Sequence, residues 1–449
     1  MLSKPIHLSE TAVSGITCVG VKSADLHLQF ATEKKTMVST NKKVRNFIPD
    51  DISLSILSKL PLKSLKRFEC VCKSWSLLID NSYFMNKFRN NFLSNLRCCS
   101  YYDGSSILLQ IGKPNFKDDF YSLSGERFEN KVKLDFSNPY ANQFNFQIFG
   151  VDSVNGILCL HEYDALGEII LLNPATQAFK VLPPSQVESV EVSIPDDARD
   201  FVDFYIVSNL HGFGYHRVIN DYKIIRYVRF DIESSVEGDE HFEEIIYSNS
   251  LGKISLEPLW EIYSLTSNSW RKLDVDMPFS SKCNEGTQVY IDEICHWLCE
   301  KDEEDNPAGA CLVSFYLSNE VFLITPIPSN LDDCFDVEAS WINLARLNEC
   351  IALISYHEPR TTFHISILGE IGKKESWINL FTIGPLSCVR CPIGVGTKGE
   401  LFFQRKDEEL AWFDLNTQMI EELGYKAGDC CARIIIYKVN ILTDGGIVN

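Results

Sequence analysis

The 449-residue chain is predicted to be an α+β multidomain protein in which a small three-helix N-terminal unit precedes an all-β propeller of about six blades. Three observations predict this. Apolar residues fall at helical spacing between Phe47 and Phe92. The period changes to two after about residue 100, and a strand-turn-strand grammar then recurs at intervals near 50 residues.

Residues 1–46 mix polar, Ser/Thr and Lys positions without a sustained period and are expected to be disordered or loosely structured. Met37, which opens MVSTNKKVRNFIPDD, is a second candidate start. Residues 47–90 form the helical unit. Pro49-Asp50-Asp51 is a helix-start signal, with acids near the positive end of the dipole, and Ile52, Ile56, Leu57 and Leu60 come after it at helical steps. Pro61 ends that helix. Ser64 is expected to cap a second helix, in which Leu65, Phe68, Val71, Cys72 and Trp75 form one apolar stripe. A third short helix, about 82–92, offers Phe84 and Phe88 one turn apart. Residues 91–104 are read as a linker.

The domain from 105 to 445 is read as the propeller. IILLNPATQAFKVLPP (169–184), EIYSLTSNSWRKLDV (261–275), LVSFYLSNEVFLITPIP (312–328), HISILGEIGKKESWINLF (364–381) and LAWFDLNTQMIEEL (410–423) share the grammar, and DDFYSLSGERFENKVKL (118–134) is a weaker copy. Spacing of about 50 residues is that of a four-stranded blade. The one long interval is assigned to polar insertions at 185–203 and 232–254. CARIIIYKVNIL (431–442) is expected to close the ring against the first blade.

Charge is unevenly spread. The 42 Lys and Arg face 61 Asp and Glu, for a net charge of -19; residues 1–90 hold 14 basic and 7 acidic side chains, leaving a body of -26. Such a body repels a phosphate backbone, so nucleic acid is disfavoured as a partner and a basic protein surface is favoured. The 16 cysteines are scattered, and the longest N-terminal apolar candidate, GITCVGV (15–21), is too short for a cleavable signal and lacks a basic start. A reducing compartment, cytoplasm or nucleus, is expected, without membrane association.

The segment 47–88, FIPDDISLSILSKLPLKSLKRFECVCKSWSLLIDNSYFMNKF, resembles an F-box along its whole length. The chain from about residue 100 onward resembles the F-box-associated domain of plant F-box/kelch-repeat-type proteins. NGILCL (155–160), LLNPAT (171–176), GFGYHRVINDYKIIR (212–226), SNSWRKL (267–273), CHWL (295–298) and SNEVF (318–322) carry that resemblance. At Asp292-Glu293 the family usually has Asn-Gly, and a changed turn in an intact fold is expected there. The resemblance implies a kelch-like propeller and an adaptor. The F-box would dock on a Skp-type linker, and through it on the cullin and RING subunits of an SCF-type ubiquitin ligase, while the propeller holds the protein to be ubiquitinated. It also implies the docking residues: Pro49, Ile52, Ile56, Leu57, Leu60, Pro61, Leu65, Val71 and Trp75. Leu65, Phe68, Val71, Cys72 and Trp75 either extend that surface or pack the helices together. Two rivals compete with the adaptor: a ligase-independent propeller scaffold and, more distantly, a carbohydrate-binding propeller.

Chemical signals point away from catalysis. Cys70 and Cys72 lie about 200° apart on a helix and cannot grip one metal together. Lys63, Lys66, Arg67 and Lys73 could touch phosphates as in a helix-turn-helix, yet the acidic body and the lack of a base-reading cluster oppose it. CVRC (388–391) has no second pair. Asp302, Glu303, Glu304 and Asp305 read as a solvated charge run, and His296 beside Trp297 as a packed strand residue. No catalytic residues, metal ligands or cofactor are expected, and the acidic 185–203, 232–254 and 301–307 stretches are candidates for substrate contact.

Overall fold

The computed structural model describes residues 50–69, 73–79, 81–101, 105–113, 118–134, 146–162, 167–189, 202–234, 258–275, 288–300, 310–328, 340–428 and 432–438. The expected N-terminal extension, Cys70, Val71, Cys72 and the charge run at 302–305 lie outside them.

The helical unit comprises α1 (Asp50–Leu57), α2 (Leu62–Glu69), α3 (Lys73–Ile79) and α4 (Ser82–Tyr101). Three expectations need correction. The second helix begins at Leu62, not after Ser64, because the Pro61 carbonyl accepts the Ser64 and Leu65 N–H groups, both at 3.0 Å. The single apolar stripe is carried by two helices, with Leu65 and Phe68 on α2 and Trp75 on α3. The stretch read as a linker is helical through Tyr101. Phe92 and Leu96 continue the buried line of Phe84 and Phe88 at four-residue steps, so the helix extends for as long as it has a surface to cover.

The rest of the described chain forms six four-stranded antiparallel sheets. Blade one is β24 (Ala432–Lys438), β1 (Ser105–Ile111), β2 (Asp119–Ser124) and β3 (Asn130–Leu134). Blade two is β4 (Phe146–Ile148), β5 (Leu158–Glu162), β6 (Ile169–Asn173) and β7 (Ala178–Val181). Blade three is β8 (Val202–His216), β9 (Asp221–Ser234), β10 (Leu259–Ser264) and β11 (Ser269–Leu273). Blade four is β12 (Val289–Ile291), β13 (Ile294–Glu300), β14 (Ala310–Tyr316) and β15 (Val321–Pro326). Blade five is β16 (Ser340–Leu347), β17 (Cys350–His357), β18 (Thr362–Leu368) and β19 (Trp377–Ile383). Blade six is β20 (Val389–Val395), β21 (Leu401–Arg405), β22 (Glu409–Phe413) and β23 (Ile420–Lys426).

All six sequence repeats fall on the third and fourth strands of a blade. The ring closes as expected, with β24 pairing β1 from Ser105↔Lys438 to Ile111↔Ala432. Each pair of neighbouring blades encloses one apolar core, so the sheets stabilise one another face to face. Part of the long interval between the blade-two and blade-three repeats is the extended β8/β9 hairpin, which lies between the two expected insertions.

The centre of the ring is crossed by chain. Between β4 and β5, Val151 N–H donates to the Gln288 carbonyl on blade four at 3.0 Å, while on the blade-one side Ser153 N–H donates to the Ile436 carbonyl at 2.8 Å and Ile436 N–H donates to the Val151 carbonyl at 2.9 Å. Blades one and four face each other across a six-bladed ring, so this segment spans the axis. Its return is a tight turn at Asn155-Gly156, both with positive φ (51° and 81°), that pairs Val154 with Ile157.

Candidate docking sites

The helical unit is seated on one end of the ring, the lower end, where in blades two to six the first and second, and in every blade the third and fourth, strands are joined. Asn348, in the β16–β17 turn, donates Nδ2 to the Phe92 carbonyl at 2.7 Å. Arg89 Nε donates to the Leu380 carbonyl of β19 at 2.6 Å. Gly369 leaves room for Leu62, since a Cβ there would lie 3.2 Å from its Cγ, and Arg67 reaches Glu370 at 3.7 Å. Leu57, Leu62, Leu65, Phe84, Phe88, Phe92 and Leu96 share a single core with blades five and six. Burial of an aliphatic side chain contributes about 1.5 to 3 kcal/mol, so this contact holds the two parts together.

That core divides the expected docking residues. Leu57 is 4% exposed and Leu65 fully buried, so both serve the interior of this chain and present nothing to a partner. Trp75 is half-buried, its ring edge-on to Phe68 with centroids 5.2 Å apart, and Leu60 is half-buried against the same core. Ile52 and Ile56 are 47% and 52% exposed. They lie four residues apart on α1 and 100° or more around the helix from Leu57 and the core-packed Leu54. Pro61 is exposed. Pro49 and Val71 lie outside the described residues.

Two surface apolar residues of the helical unit were missed: Leu77 on α3 and Tyr83 on α4, both exposed. Tyr83 was detectable, because it sits one step off the Phe84-Phe88-Phe92 line and has to face away from it. Leu77 carried no such signal, since the orientation of α3 depends on tertiary packing.

On the ring, the turn at Asp292-Glu293 is not changed. Both residues adopt positive φ (49° and 65°), the geometry that Asn-Gly favours. The cost of holding β-carbons there is offset across the blade boundary. Glu293 accepts the Arg217 N–H and lies 3.6 Å from His216 Nδ1, and Arg217 reaches Asp292 at 3.3 Å. His296 is packed rather than poised for chemistry: its Nδ1 meets Ser314 Oγ at 2.9 Å, and burial lowers its pKa to about 3. His211, walled by Trp260 and Trp297 and bonded to the Asn209 carbonyl at 2.8 Å, is likewise held neutral, with its pKa lowered to about 4 by burial. Cys388 and Cys391 are half-buried, Cys391 against Gln404, and burial pushes the Cys388 thiol up. Among the described residues, no three His, Cys, Asp or Glu side chains converge as metal ligands.

The opposite, upper end joins second to third strands and one blade to the next. Its best-held connection comes after β7. Buried Arg226 on β9 grips Glu261 through Nε and Nη2 at 3.0 and 2.8 Å, reaches Glu188 at 2.7 Å and stacks 4.0 Å over Trp270. Ser185 donates to the other Glu261 oxygen at 2.8 Å, and Trp270 Nε1 to the Pro183 carbonyl at 2.9 Å. The three acidic stretches nominated for substrate contact fall largely outside the described residues, apart from the anchors at 185–189, 202–203 and 232–234.

Family comparison agrees with this architecture. Residues 46–90 match an F-box-like model, and residues 116–442 match the F-box-associated β-propeller domain. The chain belongs to the F-box proteins that carry an F-box-associated β-propeller. Relatives in Arabidopsis thaliana include F-box protein CPR1, 24% identical over 85% of both chains. F-box protein At3g07870 is 24% identical over 75% of this chain and 72% of its own. The putative F-box/kelch-repeat protein At1g12870 is 21% identical over 77% and 73%. An F-box joined to a propeller of this family makes the chain an F-box substrate-recognition protein, of an adaptor type that is generally non-catalytic.

Proposed function

We propose that the chain is the substrate-recognition subunit of an SCF-type cullin-RING ubiquitin ligase, docking on a Skp-type linker through α1 and binding its target on the propeller. The observation that carries this reading is the Ile52/Ile56 pair. Two isoleucines one turn apart stand half in water on a helix of only eight residues, within the F-box match. An amphipathic helix that keeps a second apolar stripe after its first is buried is suited to a partner's groove. Ile52, Ile56, Pro61, Leu77 and Tyr83 form the proposed contact set, with Pro49 and Val71 as further members. Leu57, Leu65 and Trp75 support it from beneath. The adaptor acts by geometry, raising the effective concentration of a target lysine near a ubiquitin-charged enzyme held by other subunits.

The target is proposed to be a protein with a basic surface. The upper-end connecting sequences at 190–201, 235–257, 276–287, 301–309 and 329–339 hold 20 Asp and Glu against 4 Lys and Arg, a net -16 of the chain's -19. That concentration of charge steers basic partners toward one end of the ring, more strongly at low salt. The proposed location is cytosol or nucleus, where the cysteines remain thiols.

The test is co-expression of the full chain with a plant Skp-type linker, analysed on a sizing column. Wild type is expected to form a 1:1 complex. Ile52→Asp plus Ile56→Asp should fold normally and lose about 100-fold or more in affinity, as two buried side chains become charges. Equal binding by the folded double variant would refute α1 as the docking element. Absence of a wild-type complex would leave the propeller as a ligase-independent binding module.

A further inference from the structure

The helical unit runs against the charge of the chain. Residues 50–101 hold 8 Lys and Arg against 4 Asp and Glu in a protein of net -19, and neither 52–68 nor 81–101 contains a carboxylate. Some of these cations are engaged by the ring, Arg67 with Glu370 and Arg89 with the Leu380 carbonyl. Lys59, Lys73 and Lys87 are not: among the described residues, none of the three has a carboxylate partner. Cations on the ring surface differ, since Lys113 and Lys133 lie against Asp119, Arg271 against Glu320 and Lys426 against Glu409.

Each of these lysines stands beside an exposed apolar residue. Lys59 comes one turn after Ile56, its N–H donating to the Ile56 carbonyl at 3.1 Å, and is itself exposed. Lys73 and Leu77 are four residues apart on α3, and Tyr83 and Lys87 four apart on α4, so each pair shares a helix face. Leu77 is 72% and Tyr83 65% exposed, with Lys73 exposed and Lys87 half-buried. A lysine stem can lie along such a neighbour while its ammonium stays in water. The surface pattern thus recurs at three places: an apolar residue bordered by a cation that no described carboxylate neutralises.

We infer that the linker finds the helical unit by charge and is held by its apolar residues, its docking groove being bordered by carboxylates that meet Lys59, Lys73 and Lys87. This rests on the reading of α1 as the docking element and names the chemistry of the partner. The charge distribution of the whole chain favours the approach. The upper-end connecting sequences hold a net -16, so an acidic surface is repelled there and turned toward the helical unit. Apolar side chains beside the cations suit a protein groove and offer a phosphate backbone nothing.

Charge and apolar contact act on different rates. Charges at the border of an interface change the association rate and its salt dependence, whereas the contacts buried at its centre set dissociation. Lys59, Lys73 and Lys87 therefore govern how fast the linker arrives, and Ile52 and Ile56 how long it stays.

Stopped-flow kinetics of the full chain with a plant Skp-type linker, between about 50 and about 500 mM salt, test the inference. Lys59→Glu plus Lys73→Glu plus Lys87→Glu should lower the association rate about tenfold or more at low salt and change dissociation less than about threefold. The gap should close at high salt. The three Lys→Gln changes remove half as much charge and should lose about half as much on a logarithmic scale, which keeps the test open if the glutamates impair folding. Lys406→Glu, exposed in the β21–β22 turn at the upper end, should move neither rate by more than about twofold. Ile52→Ala plus Ile56→Ala should instead speed dissociation about tenfold or more. Unchanged association in the folded lysine variants, with the isoleucine variant still weakened, overturns the inference and leaves α1 as the docking element. A loss carried by dissociation and undiminished at high salt overturns it equally. A wild-type chain that binds no linker removes the docking reading and this inference with it.

Discussion

The two ends of the ring are built on opposite principles. At the lower end several connections are tight: Asp292-Glu293 and Asn348-Glu349 are two-residue turns and four-residue turns occupy 217–220, 265–268 and 317–320, while the β4–β5 and β18–β19 connections are longer. Onto this regular floor the helical unit is fixed by a continuous apolar core and by side chains that satisfy backbone carbonyls. At the upper end the connections of blades two to four are long in sequence and hold most of the net charge, while those of blades five and six are short. The lower end therefore sets the position of the helical unit relative to the ring, and the upper end leaves composition free to vary. The adaptor role proposed above would use that division, because the ligase geometry is common to all targets and target choice is individual.

The comparison breaks most severely if the lower-end core is emptied. Phe84→Ala, at a fully buried position stacked on Phe88, should cost about 3 to 5 kcal/mol. It should also make the helical unit melt apart from the ring in denaturant titrations monitored by helix and sheet signals. A single unshifted transition would show that the shared core does not couple the parts.

A loss of similar size is expected at the upper end from Arg226→Ala. It leaves buried Glu261 and neighbouring Glu188 without their cation, a penalty of about 3 to 5 kcal/mol. Arg226→Ala plus Glu261→Gln should recover part of it. If the single variant is as stable as wild type, the pair does not anchor the connection after β7.

Acid sharpens the contrast within the ring. His211 and His296 have folded pKa values lowered to about 4 and about 3 by burial, so the unfolded chain binds more protons below the ordinary value of 6.5. Their contribution is complete above pH 6.5 and is lost as pH falls through the folded values. Each histidine contributes a stability slope of up to about 1.4 kcal/mol per pH unit in that window. His296→Gln should flatten the acid limb of a stability-against-pH curve. An unchanged limb would mean that His296 titrates alike in both states.

The smallest effect belongs to the single tie from the β16–β17 turn. Asn348→Ala removes the hydrogen bond to Phe92 and should cost about 1 kcal/mol without altering linker affinity. A loss of linker binding in that variant would show that the position of α4 is transmitted to α1.

Periodicity and repetition determined much of this protein from the sequence alone. The six strand-turn-strand copies, the closing strand at 432–438 and the helical start at Asp50 arise from side-chain alternation and turn chemistry, which are local. The apolar stripe on α1 was equally legible, but its partners were not. Ile52, Ile56 and Leu57 are the same kind of residue, and only the packing of α1 against the rest of the chain puts Leu57 inside and leaves the other two in water. The same limit hid the length of α4, the positive-φ turn kept at Asp292-Glu293 and the segment crossing the axis. Each depends on contacts between residues tens to hundreds of positions apart. A local pattern specifies that a face is apolar; the tertiary structure alone decides what that face meets.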